Sequence, residues 1–193
     1  MAFLLVAYGV NHVIHTPFGR GLVFSAYGTS LVRPDETTWL VEQIGIEIDG
    51  EISERSRNWA EVERAFYWVV MNIAYAPDED GPAVEFVGVK WVLYGNDRMS
   101  SPKETILTRR GDCEDQAILL VSILRQAGVG ADNVYVVLGG FSTEKSTYGH
   151  SWATIKMANG SWRILDPTAL RIVVDETRYC GLIWFNDATT GGE

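Results

Sequence analysis

One helical segment constrains the fold of this chain more than any other part of it. From Gly111 to Gly128 the sequence reads GDCEDQAILLVSILRQAG, and apolar residues occupy nearly every side of an α-helix built from it. Asp112 suits the N-cap and Gly128 suits the C′ position. A helix that is apolar all round must be covered on every side. We therefore expect this helix to be central and buried.

Three segments after the central helix predict β-strands: residues 133–138, 150–156 and 162–166. The Asn159-Gly160 pair between the last two predicts a hairpin with a type I′ turn. These strands should form an antiparallel sheet that packs against the helix.

Two further helices are predicted before the central one. Apolar residues recur at three- and four-residue spacing between Ser56 and Tyr75. In the shorter helix, Ser101 suits the N-cap, Pro102 the first helical position and Glu104 the capping box, and the helix should run to about Thr108. Helices followed by an antiparallel sheet indicate an α+β fold.

The N-terminal region has a different pattern. Residues 1–50 are rich in glycine and in β-branched and aromatic residues, and alternation over 37–41 and 45–48 predicts short strands. We expect 1–50 to be an extension of strands and turns packed on a domain formed by 51–193. The opening apolar run MAFLLVAYGV is too short to span a bilayer and lacks a basic leader region, which favours a cytoplasmic protein.

Charge and cysteine content exclude several classes of protein. The net charge of −9 and the absence of a Lys/Arg stripe argue against nucleic-acid binding, and they favour a neutral or basic substrate. Cys113 and Cys180 form neither a disulfide framework nor a zinc pattern. They could be bridged or be two free thiols, and Cys180 is expected to pack on a last strand. The acidic loop over 77–82 could bind a cation or simply be solvated.

Three residues together indicate nucleophilic chemistry. Cys113 falls in the first turn of the central helix, where unpaired N–H groups and the helix dipole stabilise a thiolate. His150 and Asp166 lie on facing strands of the predicted hairpin, about 5 Å apart. A thiol, a base and an acceptor that orients the base are the parts of a nucleophilic triad. The alternatives are a buried structural cysteine, a surface histidine and an aspartate that starts a turn before Pro167.

These residues stand in motifs that resemble the transglutaminase-like superfamily of papain-type thiol enzymes. The segment GDCED is most similar to bacterial and archaeal transglutaminase-like cysteine proteases, and the resemblance covers roughly residues 55–170. The shared pattern is a cysteine opening a helix, then a histidine and a tryptophan on one strand, then a tryptophan and Asp-Pro-Thr on the next. Here it is formed by Cys113, His150, Trp152, Trp162, Asp166, Pro167 and Thr168.

The resemblance implies a triad in which Cys113 attacks an acyl carbon, His150 transfers the proton and Asp166 orients His150. It also implies an oxyanion site formed by the backbone N–H of the nucleophile. Trp91 or Trp152 could contribute to the oxyanion or substrate site, although Trp91 does not match the family spacing and could be a packing residue. Asp112 and Glu114 match positions at which some bacterial members bind calcium; capping and solvation are the alternative roles. The chemistry itself requires no cofactor.

The expected function is hydrolysis of amide bonds in a peptide or protein substrate through an acyl-enzyme. Two alternatives remain open. The same triad can transfer the acyl group to an amine, as transglutaminases do, because either water or an amine can resolve the thioester. A non-catalytic peptide-binding module on the same fold is the other. The sequence indicates no oligomeric state.

Overall fold

The computed structural model of this chain describes residues 28–77, 83–86, 89–92, 99–173 and 177–192, with backbone only for 83–86 and 89–92. Residues 28–31 are helical, and the α-helices with both ends in this part are α1 (Thr38–Ile44), α2 (Arg57–Asn72), α3 (Pro102–Thr108) and α4 (Cys113–Gln126). Short 3₁₀ helices cover Pro34–Thr37 and Ala131–Asn133. The predicted helices correspond to α2, α3 and α4.

The strands form one large sheet and one small one. Antiparallel pairing dominates the large sheet, whose strands run in the order β10-β9-β5-β6-β3-β2, with β7 and β8 attached beside β6. Strands β1 and β4 form a separate parallel pair. The strands are β1 (Ala74–Tyr75), β2 (Ala83–Phe86), β3 (Val89–Val92), β4 (Arg110–Gly111), β5 (Val134–Ser142), β6 (Thr147–Lys156), β7 (Trp162–Asp166), β8 (Arg171–Val173), β9 (Tyr179–Phe185) and β10 (Thr190–Gly192).

Strand β6 is the central strand of the large sheet. One edge pairs with β5 along the whole strand. The opposite edge is divided: Tyr148 pairs with Lys90 of β3, and the segment from Ala153 onward pairs with β7. His150 lies between these two pairings, where the backbone edge of β6 is not covered by either strand.

Helix α4 is the centre of the core. Every residue from Ala117 to Leu124 is fully buried. The helix packs on β5 and β6 and also touches α1, α2 and α3. Its Ser122 hydroxyl accepts a hydrogen bond from the backbone N–H of Arg33, and its Ser122 carbonyl accepts one from the Thr37 hydroxyl. These contacts confirm the prediction of a central helix packed against a sheet.

The predicted caps at Ser101 and Gly128 are present, and Ser56 is an N-cap that the sequence pattern did not predict. Ser56 and Ser101 are the N-caps of α2 and α3, and each side-chain oxygen accepts a hydrogen bond from a backbone N–H of the first turn. Gly128 has φ of 113°, and the N–H of Val129 bonds to the carbonyl of Leu124, which is a Schellman ending. Asp112 occupies the N-cap of α4, but its side chain makes no cap hydrogen bond there.

The strand predictions over 37–41 and 45–48 are wrong. The first segment enters α1, which follows the 3₁₀ turn begun by Pro34, buries Leu40 and Val41, and ends at Gly45 with φ of 65°. In the second, Ile46 and Ile48 are buried, but the segment pairs with no described strand. The alternation there reflects burial of an extended segment, since the N–H of Ile48 bonds to the carbonyl of Ala127.

The hairpin between β6 and β7 is present, but its turn type differs from the prediction. A type I′ turn needs positive φ at both central residues, whereas Gly160 alone in this turn has positive φ, at 81°. The N–H of Gly160 bonds to the carbonyl of Met157, and the Asn159 side chain accepts hydrogen bonds from Ser161. Asn159 therefore stabilises the turn through its side chain and does not adopt the left-handed conformation.

Within the described residues, no helix is both long enough and apolar enough to cross a bilayer.

Candidate active site

His150 and Asp166 form a close pair on neighbouring strands. Nε2 of His150 lies 2.7 Å from Oδ2 of Asp166, and the side chains are 15% and 1% exposed. The hairpin register explains the contact, since Ala153 pairs with Leu165, and His150 and Asp166 both lie beyond that pair at the same end of the hairpin. With Nε2 directed at the carboxylate, Nδ1 is the ring nitrogen left to act as a base.

The Asp166 carboxylate is held by several donors. Burial by itself raises the pKa of this carboxyl, but hydrogen bonds from His150, the Ala169 N–H and the Tyr179 hydroxyl outweigh burial and hold the pKa below its usual value. Asp166 is thus an anion at neutral pH, and its carboxylate oxygens are fixed in direction.

Aromatic rings surround His150. Its ring centroid lies 5.9 Å from that of Phe141, 6.0 Å from that of Trp152 and 6.3 Å from that of Tyr179. The Trp152 indole has room because of Gly139, where an added Cβ would lie 2.7 Å from the indole and 2.1 Å from a backbone oxygen of β9. The imidazole is therefore oriented by packing as well as by Asp166.

Cys113 opens α4 and is half-buried. Its thiol donates a hydrogen bond to Oε2 of Glu114, with Sγ 3.2 Å from that oxygen. Burial, followed by the charges of Glu114 and Asp112, raises the pKa of the thiol well above its ordinary value. The backbone N–H of Ser151 opposes this shift, which places the sulfur beside the residue that follows His150.

The turn before Cys113 is held by its neighbours. Backbone N–H groups of Ala74 and Ala76 bond to the carbonyls of Arg109 and Gly111. The Gln116 side chain also donates to the Gly111 carbonyl. An added Cβ at Gly111 would lie 2.6 Å from Cβ of Asp115, so the close approach requires glycine. These contacts set where α4 begins and therefore where the thiol lies.

The structure brings His150 and Asp166 together but does not join Cys113 to His150. Both residues belong to the described part of the chain, and no hydrogen bond connects them; the thiol is directed to Glu114. The arrangement is that of a protonated thiol beside a preformed histidine–aspartate pair. Nucleophilic chemistry would require the thiol to leave Glu114 and transfer its proton to Nδ1.

The two tryptophans differ in what the structure shows of them. Trp91 lies on β3, where its backbone pairs with Val84, and its side chain is outside the described part. Trp152 is 3% exposed and packs with Val137 and Ile164 on the sheet face that carries His150. A side chain so buried offers almost no surface to a substrate, and its contact is with the imidazole.

Asp112 and Glu114 are buried at the start of α4, and they are 7% and 8% exposed. Their carboxylates are the oxygen ligands that Ca²⁺ prefers. The described part of the chain contains no group of three or more His, Cys, Asp or Glu side chains arranged to hold a metal. The carboxylates fit calcium in chemistry, and the remaining ligands would be backbone oxygens, water or other residues. The acidic loop residues 78–80 lie outside the described residues.

Cys180 and Asn186 have no role in the pair. Cys180 is a free, exposed thiol on β9, where its backbone pairs with Gly140, so the prediction that it is a packing residue on a last strand is wrong. Cys113 is also free. The Asn186 side chain donates to the carbonyls of Ala131 and Val134 and caps the turn that follows β9.

Tyr179 is the site residue that the sequence interpretation missed. Its hydroxyl donates to Oδ2 of Asp166 at 2.9 Å. No spacing rule marks a tyrosine 13 residues after the aspartate. The sequence pattern predicted packing for the neighbouring Cys180 and gave the tyrosine no role.

Comparisons with known proteins show the family and the fold. The family model for the transglutaminase-like superfamily matches residues 46–167. No curated protein matches the chain. The fold is similar to Legionella pneumophila LapG, with a TM-score of 0.59 and 17% identity over 84% of this chain and 88% of that one.

Two further structures share the fold. A calcium-bound form of Legionella pneumophila LapG has a TM-score of 0.51 and 18% identity, over 83% of this chain and 88% of that one. A candidate cysteine protease from Cytophaga hutchinsonii has a TM-score of 0.52 and 17% identity, over 83% of this chain and 43% of that one.

The matched segment spans more than half of the chain and includes α4 and the β6–β7 hairpin, so this chain belongs to the transglutaminase-like superfamily.

Proposed function

We propose that the protein is a thiol hydrolase that cleaves amide bonds in a peptide or protein substrate through an acyl-enzyme on Cys113. The observation that carries this proposal is the buried His150–Asp166 pair, with Nε2 2.7 Å from Oδ2, next to the strand residue whose N–H faces the thiol. An anionic, almost fully buried acceptor behind a histidine is the arrangement that stabilises an imidazolium.

The proposed mechanism follows from which ring nitrogen of His150 is bonded to Asp166. Asp166 holds Nε2, so Nδ1 takes the proton of Cys113 as the thiolate attacks the carbonyl carbon of the scissile amide. The tetrahedral oxyanion would meet backbone N–H groups at the start of α4, where the helix dipole also favours negative charge. Collapse expels the amine, which takes the proton from Nδ1, and water then hydrolyses the thioester by the reverse sequence.

The resting thiol needs a change before it can react. Its hydrogen bond to Glu114 and its raised pKa describe a protonated, low-reactivity state. Rotation about χ1 away from Glu114 toward the β6 backbone would bring the sulfur to the side of His150. Substrate binding, a cation bound by the Asp112 and Glu114 carboxylates, or both would favour the thiol position near His150 over the one at Glu114.

We propose calcium as that cation, bound by Asp112 and Glu114. A bound Ca²⁺ would neutralise the two charges that raise the thiol pKa. The test is the melting temperature of the wild type and of Asp112→Asn with millimolar CaCl₂ or MgCl₂. Calcium should stabilise the wild type more than magnesium does, and Asp112→Asn should lose that difference. Equal stabilisation of both proteins would exclude this site.

Acyl transfer to an amine uses the same residues and is the alternative reaction. A test with an added primary amine decides between the two. Hydrolysis predicts free carboxylate as the main product even with excess amine, whereas a transferase forms mainly the new amide. In the part of the chain that the structure describes, no contact of Cys113 or His150 favours transfer over hydrolysis.

The triad is tested by the pH dependence of Cys113 alkylation with iodoacetamide, in a Cys180→Ser background that leaves one thiol. The comparison is the wild type against His150→Ala, with Tyr67→Ala, an exposed residue of α2, as the control. In the molecules whose thiol has left Glu114, His150 should take the thiol proton, so the proposal predicts slower alkylation near neutral pH in His150→Ala and no change in the control. Equal rates in all three proteins would mean that His150 does not act on the thiol, and a binding module would then be favoured.

A further inference from the structure

One oxygen of Asp166 accepts two hydrogen bonds from different strands. Oδ2 lies 2.7 Å from Nε2 of His150 on β6 and 2.9 Å from the hydroxyl of Tyr179 on β9. The other oxygen, Oδ1, accepts from the backbone N–H of Ala169 at 3.0 Å. Both oxygens of a carboxylate that is 1% exposed are therefore occupied by donors.

The Tyr179 ring is held in place independently of its hydroxyl. It packs edge-on against Phe141 and Trp152, with centroids 5.0 Å and 5.1 Å apart. The guanidinium of Arg171 lies 5.9 Å from the Phe141 ring centroid, and the Arg171 backbone pairs with Asp166. Two contacts of different kinds thus fix Tyr179: ring packing and the hydroxyl–carboxylate bond.

The Tyr179 hydroxyl donates to Asp166, and its oxygen accepts a hydrogen bond from the Arg171 side chain. Burial and the neighbouring charge of Asp166 raise the pKa of the phenol, and the smaller opposing effect of Arg171 does not reverse that direction. The phenol stays protonated over the range in which enzymes work, so its proton is always available to Asp166.

We propose that Tyr179 is a positioning residue for the His150–Asp166 pair, with its hydroxyl holding Oδ2 of the carboxylate where Nε2 of His150 meets it. The proposal rests on the proposed function only for its effect on catalysis. The hydrogen bond and its consequence for Asp166 exist whether or not the protein is a hydrolase. Without the Tyr179 hydroxyl, Oδ2 would keep only the imidazole as a side-chain donor, and the carboxylate and the imidazole that it holds could then turn together.

The consequence has a definite sign. The side chains that act on the Asp166 carboxylate are His150 and Tyr179, the backbone donor is the Ala169 N–H, and Arg171 acts on the Tyr179 hydroxyl. A donor to the charged form lowers a carboxyl pKa, so loss of the Tyr179 hydroxyl raises the pKa of Asp166. The variant then protonates Asp166, and releases His150 from its anionic acceptor, at a higher pH than the wild type does.

The first test is a ¹³C NMR titration of the Asp166 carboxyl in the wild type, Tyr179→Phe and Tyr148→Phe, with Asp166→Asn used to assign the resonance. Phenylalanine keeps the ring contacts of Tyr179 and removes only the hydroxyl. Tyr148 is a matched control, because it lies two residues before His150 on β6, is 56% exposed and is not a donor to Asp166. We expect the Asp166 midpoint to rise by roughly one pH unit in Tyr179→Phe and not to move in Tyr148→Phe.

An unchanged midpoint in Tyr179→Phe, or an equal shift in Tyr148→Phe, would overturn the proposal. The second test is the acid limb of the kcat/KM profile, which should move upward with the Asp166 midpoint in Tyr179→Phe alone. A moved midpoint with a fixed acid limb would overturn the positioning role. A wild type without activity would sink the proposed hydrolase, and the NMR result would still decide the role of Tyr179.

Discussion

The reactivity of Cys113 is decided by opposing local influences. The start of α4 and the Ser151 N–H favour the thiolate. Burial and the two flanking carboxylates favour the thiol, and they prevail, since the pKa is raised well above its ordinary value. A helix N-terminus is therefore not sufficient to activate this cysteine.

Glu114→Gln should make Cys113 more reactive. The substitution removes a negative charge that raises the thiol pKa and keeps a side chain of similar size, so the pKa should fall and alkylation at neutral pH should quicken several-fold. The measurement is iodoacetamide alkylation against pH in a Cys180→Ser background. Asp132→Asn makes the same charge change at an exposed residue far from the thiol and should leave the rate as it is. A slower thiol in Glu114→Gln would contradict the assigned sign.

At the scale of single elements, the end of α4 shows why one glycine is irreplaceable. Gly128 has φ of 113°, and an added Cβ would lie 2.3 Å from the carbonyl oxygen of Ile48. The same approach lets the N–H of Ile48 bond to the carbonyl of Ala127. The glycine that ends α4 is thus also required for the contact between this helix end and the segment that precedes α2.

Gly128→Ala should destabilise the fold more than Gly45→Ala. Gly45 ends α1 with φ of 65° and has open space around it, so alanine there meets only the backbone penalty of about 1–2 kcal/mol. At Gly128 the contact with Ile48 adds to that penalty, and we expect a loss of roughly 3 kcal/mol or more. Urea unfolding of both variants measures the difference. Equal losses would show that the Ile48 segment moves aside freely.

At the scale of the whole molecule, α4 holds the layers together. The helix packs on β5 and β6 and also contacts α1, α2 and α3. Its buried apolar residues belong to the main hydrophobic core, which therefore joins the sheet to the other helices. The pair His150–Asp166 belongs to the sheet and Cys113 belongs to the helix. The distance between the two parts of the site therefore depends on how α4 packs on the sheet.

Leu120→Ala should lower the global free energy of unfolding by about 2–5 kcal/mol, because the side chain is fully buried and its loss leaves a cavity. Leu107→Ala is the control: it removes the same atoms from a residue that is 72% exposed and should change stability by less than about 0.5 kcal/mol. Chemical denaturation followed by tryptophan fluorescence gives both values. A decrease in the free energy of unfolding well below about 2 kcal/mol for Leu120→Ala would mean that neighbouring side chains repack to fill the cavity.

Much of the architecture is encoded in short segments and could be predicted from the sequence. Helical periodicity located α2, the caps at Ser101 and Gly128 helped to locate α3 and α4, and the strand pattern over 162–166 located β7. The hairpin spacing indicated that His150 and Asp166 would meet, because strand pairing follows a register that a turn defines. Each of these features depends on residues that lie close together in the sequence, within a single helix or a single hairpin.

Contacts between distant segments decided the rest. Residues 38–41 are helical because Thr37, Leu40 and Val41 pack against the core, a choice that outweighs their strand-like alternation. The thiol bonds to Glu114 and lacks a bond to His150, and Tyr179 reaches Asp166 from β9. The sequence by itself determined the order of Cys113, His150 and Asp166 along the chain and the elements on which they lie. Only the tertiary structure decided which of them touch, because hydrogen bonds and burial depend on how α4 packs against the sheet.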